Sequence, residues 1–122
     1  MKIVLFITLF FSLSCKSSTP EQSDETNSRI LVFTKTTGYR HESIETGVAV
    51  LKQLGAQNNF EVEHSENSSV FTDESLKKFN LVVFLSTTGD ILNADEEAAL
   101  ERFIKSGNSF MGIHAAADTE YD

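Results

Sequence analysis

Three short apolar runs constrain the fold of this chain more than any other feature. The runs ILVF, LVVFL and FMGI occupy residues 30–33, 81–85 and 110–113, and each is flanked by polar residues or a helical pattern. Uninterrupted apolar runs of four or five residues are typical of strands that are covered on both faces of a parallel sheet. We therefore predict buried parallel strands, with Ser109–Ile113 as the last of them.

Helical patterns separate these runs. Apolar residues recur at helical spacing over 44–54, and Gly55 is expected to end that helix. Residues 60–65 alternate between apolar and polar, which indicates a second, less buried strand. Asn93 and Glu96 form the sequence signature of a capping box at the start of a further helix. The order β-α-β-α-β-α-β predicts an α/β fold with a doubly wound parallel sheet.

Length and charge limit the classes of protein to consider. The chain has 122 residues and a formal net charge of −8, so it fits one small domain. The acidic balance argues against nucleic acid or an anionic membrane surface as the main partner. The last predicted strand has no following helix to cover it, so we expect a domain that is truncated at its C-terminus.

The first fifteen residues have the pattern of an export signal. Lys2 precedes an apolar run over residues 3–13, which is too short to span a bilayer, since spanning needs roughly 20 residues. Ser14 and Cys15, the single cysteine, resemble the end of a bacterial lipoprotein signal, in which the cysteine becomes lipidated. We expect an exported protein, anchored by lipid on the periplasmic or cell-surface side. The alternative is an ordinary signal peptide with an incidental cysteine.

The remaining sequence divides into a tether and a domain. Residues 16–28 contain no apolar side chain and are expected to be a flexible tether. The predicted organisation is therefore a signal segment (1–15), a tether (16–28) and one partial α/β domain (29–122).

The candidate site lies where the apolar strands end. In parallel sheets, ligands bind beyond the carboxyl ends of the strands, so the loops after the three runs should meet at one edge. The residues of these loops that could bind a substrate are Gly38, Tyr39, Arg40, Thr87, Thr88, Gly89 and Asp90, and those that could take part in catalysis are His41, His114 and Asp118.

These side chains suit more than one chemistry, and each has a structural explanation as well. His41 and His114 could transfer protons, or could bind a divalent metal together with a carboxylate. His114 could instead bond a carbonyl, and His41 could be a solvated loop residue. Asp90 could order its turn and Asp118 could cap a helix. Arg40 could be an ordinary surface charge or could clamp an anion.

Other familiar motifs are absent from the sequence. There is no glycine-rich dinucleotide fingerprint, no GxxxxGK[ST] loop and no GxSxG elbow. The third histidine, His64, shares a strand face with Phe60 and Val62, which favours packing over a ligand role.

The segments ILVFTKTTGYRH, LVVFLSTTGD and GIHAAADTEYD together resemble the trehalose-utilisation (ThuA-like) family. The resemblance covers residues 29–122 and corresponds to the first half of the family domain. It implies a class I glutamine amidotransferase-like, flavodoxin-like fold. It also implies a role in the catabolism of trehalose or related (keto-)glycosides, with a small carbohydrate as the partner.

The same resemblance places His114 where amidotransferases of this fold carry their catalytic cysteine. The only cysteine of this chain, Cys15, lies in the signal segment. Without a thiolate at the site, Cys-dependent glutamine hydrolysis is excluded. Three hypotheses stay open: a sugar-processing enzyme, a non-catalytic carbohydrate-binding lipoprotein on the same fold, and a metal-dependent hydrolase.

Overall fold

Four parallel strands form the sheet in the part of the chain that the structure describes. The computed structural model describes residues 28–121, with β1 at Ser28–Phe33, β2 at Phe60–Ser65, β3 at Leu81–Leu85 and β4 at Ser109–Ile113. Their order in the sheet is β2-β1-β3-β4, and all three neighbouring pairs are parallel. The predicted doubly wound α/β fold is confirmed.

Part of the predicted organisation falls outside this region. The signal segment (1–15), with Cys15, and residues 16–27 of the predicted tether lie outside the described residues. Ser28, which the sequence assigns to the tether, is the first residue of β1.

Three helices connect the strands. They are α1 at Ile44–Asn58, α2 at Asp73–Leu76 and α3 at Ala94–Lys105. Short 3-10 turns lie at Ser68–Val70 and His114–Ala117. Among residues 28–121, no helix has the length and apolar character that crossing a membrane requires.

The two faces of the sheet are covered by different helices. Leu31, Phe33 and Phe84 pack against residues of α2 and α3 on one face. Val32 and Val83 pack against α1 on the other. Burial on both faces explains why β1 and β3 have uninterrupted apolar sequences, because a central strand has no face that contacts water.

The predicted burial of Ser109–Ile113 is wrong. This segment forms β4 as expected, but β4 lies at the edge of the sheet, and four of its five residues are exposed. Phe110 and Met111 are 43% and 48% exposed. The apolar run predicted a strand correctly, yet burial also requires a covering element on each face, which β4 lacks within residues 28–121.

The predicted end of the first helix is also wrong. α1 continues through Gly55 to Asn58, and Asn59 ends it in the left-handed conformation (φ 57°), donating its N–H to the Gly55 carbonyl. Gly55 serves close packing instead, because a Cβ there would lie 2.6 Å from the Phe60 carbonyl oxygen. The Asn93–Glu96 capping box of α3 is confirmed.

Candidate functional site

The three loops that leave β1, β3 and β4 meet at the carboxyl edge of the sheet, as predicted. An isolated bridge joins Thr36 to Thr88, and another joins Gly89 to Thr119. We call this edge the rim, meaning residues 34–41, 86–92 and 114–121. The rim holds all ten candidate site residues.

The middle loop, residues 86–92 after β3, supports the rim. The Thr88 carbonyl accepts the N–H groups of Thr37 (2.9 Å) and Gly38 (3.3 Å). The Thr88 hydroxyl donates to the Tyr39 carbonyl at 2.8 Å. Gly89 has a φ of 79°, and a Cβ there would collide with the Thr37 hydroxyl. The first and second loops are therefore fixed to each other, and glycine is required at their crossing.

The threonines of this loop are buried. Thr87 and Thr88 are 0% and 1% exposed. The Thr87 hydroxyl is 2.8 Å from the hydroxyl of Thr119, so it contacts the third loop. The observed partners of both hydroxyls are protein atoms that join the three loops.

Glu120 ties the third loop to the second. Its Oε1 accepts the backbone N–H groups of Ile91 (2.8 Å) and Leu92 (2.9 Å). The Gly89 N–H donates to the Asp118 carbonyl at 2.8 Å. The chain after β4 is thus attached to the exit of β3 by backbone and side-chain bonds.

Two of the histidines lie in contact on the rim. The ring centroids of His41 and His114 are 4.5 Å apart, with the planes at 73°. His114 is exposed and directly follows β4 in a left-handed conformation (φ 56°), and His41 is half-buried. Tyr39 packs its ring against His41 at 4.8 Å, with the planes at 83°. The two imidazoles can therefore face the same bound molecule.

Arg40, between Tyr39 and His41, makes two ion pairs. Its Nη2 lies 2.8 Å from Oε1 of Glu45 and 2.8 Å from Oε1 of Glu66. These carboxylate bonds raise the pKa of Arg40, and the bond from Arg40 lowers the pKa of Glu45. The observed partners of Arg40 are the start of α1 and the residue after β2.

His64 lies apart from the imidazole pair, on β2. Its Nε2 is 2.7 Å from the hydroxyl of Thr34, and that hydroxyl also donates to Glu66 at 3.2 Å. A hydroxyl has one proton, so while Thr34 donates to Glu66 the Nε2 of His64 must donate to Thr34. Desolvation lowers the pKa of His64. His64 therefore belongs to the junction of β1 and β2.

The aspartates of the rim flank Tyr121. Asp118 Oδ1 accepts the Tyr121 hydroxyl at 2.8 Å, and Asp90 Oδ1 accepts the Tyr121 N–H at 3.4 Å. The bond to Asp118 raises the pKa of Tyr121. Both carboxylates have remaining acceptor sites, because an ionised carboxylate offers about four lone-pair sites.

The donors for a metal are few. Within residues 28–121, no group of three or more His, Cys, Asp or Glu side chains could hold a metal ion. His41 and His114 provide two imidazoles, whereas a typical catalytic zinc has three protein ligands. These residues alone do not complete such a site.

Some rim residues were missed by the sequence reasoning. Glu120 and Tyr121 lie within the GIHAAADTEYD segment but outside the candidate set. No sequence pattern marks Glu120, since its bonds to Ile91 and Leu92 depend on the pairing of β3 with β4. Thr34 was hidden because it follows an apolar strand without a break.

The fold and the rim together define an α/β protein with a polar edge at the carboxyl ends of parallel strands. A family model described as ThuA, trehalose utilisation, matches residues 29–122. The chain therefore belongs to the ThuA family.

Structural comparison agrees on the fold. A crystal structure of a protein described as ThuA-like, from Bacteroides uniformis, matches with a TM-score of 0.61 and 20% sequence identity. The match covers 81% of this chain and 41% of that one, so the aligned region spans less than half of that protein. None of the curated proteins compared with the chain matches it.

Proposed function

We propose that this chain acts on a carbohydrate in the catabolism of trehalose or related (keto-)glycosides, with His41 and His114 as its acid–base pair. The observation that carries the proposal is the 4.5 Å separation of the two imidazole rings at the carboxyl edge of a parallel sheet. Membership of the ThuA family supports the substrate class.

The chemistry of the pair suits proton transfer. Histidine can accept and donate a proton near neutral pH, which a reaction at a sugar hydroxyl or glycosidic oxygen requires. In this proposal one imidazole removes a proton from the substrate while the other supplies one. Asp118 binds or orients a hydroxyl beside them.

The remaining rim residues would bind the substrate or hold the loops in place. Asp90 accepts a sugar hydroxyl, and Tyr39 contacts the ring. Gly38 and Gly89 allow the close approach of the loops, and Thr87 and Thr88 fasten them. Arg40 holds the loop between Glu45 and Glu66.

Turnover by histidine variants tests the proposal. We expect His41→Ala and His114→Ala, made in the full chain, each to lose about 10²-fold or more of the turnover of trehalose or a keto-glycoside. His64→Gln is the matched control, because the third histidine lies on β2 and takes no part in the ring contact of His41 with His114, so it should retain activity.

The outcomes separate the hypotheses. Wild-type turnover in both alanine variants would show that the acid–base assignment is wrong. Sugar binding by the wild type without any product would favour the alternative of a non-catalytic carbohydrate-binding protein. Activity that is lost with a chelator and regained with a divalent metal would favour metal-dependent hydrolysis.

We also propose that the chain is exported and anchored by lipid at Cys15. The support is the apolar run over residues 3–13 followed by Ser14 and the single cysteine. Labelled palmitate should be incorporated into the wild-type protein in a bacterial host and not into Cys15→Ser. Equal labelling of both forms, or none in either, would contradict the anchor.

A further inference from the structure

The buried phenylalanines of the core and the tyrosines of the rim differ strongly in exposure. Phe33, Phe71, Phe79, Phe84 and Phe103 are all at most 5% exposed. The two tyrosines of the chain are the most exposed of its described large apolar or aromatic side chains, Tyr39 at 69% and Tyr121 at 63%. Both lie on the rim.

Each tyrosine is fixed in place by bonds rather than by burial. Tyr39 is fixed through its carbonyl, which accepts the Thr88 hydroxyl, and through the edge contact with His41. Tyr121 is fixed through its hydroxyl, which donates to Asp118, and through its N–H, which donates to Asp90. The attachment points, Thr88 and Asp90, are two residues apart on one loop. Two oriented rings with accessible surfaces therefore flank the middle loop.

The surroundings of the rings indicate the chemistry of the ligand. Asp90 and Asp118, beside Tyr121, accept hydrogen bonds, as hydroxyl groups require. The chain carries a net charge of −8, and both rim cations already have protein partners: Arg40 pairs with two glutamates, and Lys35 donates to Ser68 and to the Ile91 carbonyl. The rim therefore offers little positive charge to attract an anionic ligand. A neutral sugar ring combines an apolar C–H face, which stacks on an aromatic ring, with hydroxyls that point outward to such acceptors.

We infer that Tyr39 and Tyr121 are the stacking residues of a neutral glycoside, one sugar ring on each, with the middle loop beneath the linkage. This inference deepens the proposed function and rests on it for the carbohydrate class. It adds Tyr121 to the binding residues and excludes sugar phosphates as preferred ligands.

The composition of the chain supplies a direct probe. There is no tryptophan, so the intrinsic fluorescence of the protein comes mainly from Tyr39 and Tyr121. Titration with trehalose, maltose and methyl glucoside should change tyrosine emission in a saturable way. Sorbitol, a neutral polyol without a ring, and glucose 6-phosphate should bind at least about tenfold more weakly.

Paired substitutions separate the stacking ring from its hydroxyl. We expect Tyr39→Ala and Tyr121→Ala each to raise the Kd for trehalose about tenfold by calorimetry, and Tyr39→Phe to stay within about twofold of the wild type. Because both side chains are exposed, the variants should fold, which far-ultraviolet circular dichroism checks. Val50→Ala, on the exposed face of α1, is the matched surface control and should not change the Kd.

The possible results decide the inference separately from the proposed function. Unchanged affinity in both alanine variants, no binding of any of the three glycosides, or equally tight binding of sorbitol overturns the stacking role. Weakened binding in the tyrosine variants, with full turnover in the histidine variants, upholds the stacking role and removes the acid–base pair. Lost turnover in the histidine variants, together with unchanged affinity in the tyrosine variants, upholds the acid–base pair and removes the stacking role.

Discussion

Two neighbouring strands, β3 and β4, both contain an apolar run but lie in very different environments. Val82 and Val83 of β3 pair in register with Phe110 and Met111 of β4. The two valines are at most 1% exposed, whereas Phe110 and Met111 are 43% and 48% exposed. The difference arises because β3 has a strand on each side and helices on both faces, while β4 is the edge strand of the sheet that residues 28–121 form. An apolar run thus shows that a segment can be buried, and the topology decides whether it is.

Among the variants that test this contrast, Phe84→Ala is expected to change the free energy of unfolding most. The ring lies 5.5 Å from Phe33, 5.9 Å from Phe71 and 5.0 Å from Phe110, and the residue is 4% exposed. We expect Phe84→Ala to lower the free energy of unfolding by about 3–5 kcal/mol, because it removes buried area and leaves a cavity. Urea denaturation measures the change. A loss below about 1 kcal/mol would mean that β3 is not part of a tightly packed core.

Substitution of Glu120 tests how much the hydrogen bonds between the loop after β4 and the loop after β3 contribute to stability. Its carboxylate accepts two N–H groups that follow β3, and Ile91 is 1% exposed. We expect Glu120→Ala to cost about 1–3 kcal/mol in unfolding free energy, because partly buried donors lose their acceptor. Glu120→Gln keeps an amide oxygen and should cost less. Equal losses in the two variants would argue against the hydrogen bonds as the cause.

Phe110→Ala is the matched partner of Phe84→Ala on the edge strand. The two rings pack at 5.0 Å with planes at 75°, so each substitution removes the same aromatic contact. Because Phe110 is 43% exposed, we expect a loss of only about 1 kcal/mol in unfolding free energy. A loss as large as that of Phe84→Ala would show that the edge strand is as well packed as the centre.

The smallest expected effect on stability comes from His64 on β2, at the opposite edge of the sheet. Desolvation lowers the pKa of His64 below its ordinary 6.5 in the folded state, with smaller contributions from Lys52 and Arg40 that Glu66 and Glu45 oppose. The unfolded chain therefore binds more protons in the interval between the two pKa values, and stability rises with pH there. This contribution is present above about pH 6.5 and is lost as the pH falls through the folded pKa.

Urea denaturation at several pH values measures this dependence. We expect the fall in stability on acidification from about pH 7.5 to about pH 5.5 to be smaller in His64→Gln than in the wild type. The lowered pKa values of Glu45, Asp73 and Glu101 affect a more acidic range and should remain in both proteins. A steeper fall in the variant would reverse the assigned direction.

The sequence predicted the strands and the rim because both follow from local patterns. Residues 81–85 were an uninterrupted apolar run and became β3 with the same bounds. Asn93 and Glu96 predicted the start of α3, since a capping box is a contact between near neighbours. The meeting of His41 with His114 followed from parallel topology alone.

What the sequence could not predict depends on distant neighbours. The exposure of β4 depends on which strand lies beside it, and the role of Gly55 depends on the position of Phe60. The bonds of Glu120 join two loops that are far apart in the chain. The catalytic and binding roles of the rim residues stay predictions, because a role depends on the molecule that binds.

The crossing of Gly89 over Thr37 has a consequence for how a ligand enters. Hydrogen bonds of Thr88 join the loop after β1 to the loop after β3, so the two loops cannot separate without breaking several hydrogen bonds at once. A ligand would therefore bind to a preformed surface rather than beneath a closing lid, and little conformational entropy of the chain would be lost on binding. Binding should then proceed in a single kinetic phase, and the observed rate constant should rise in proportion to the concentration of the ligand.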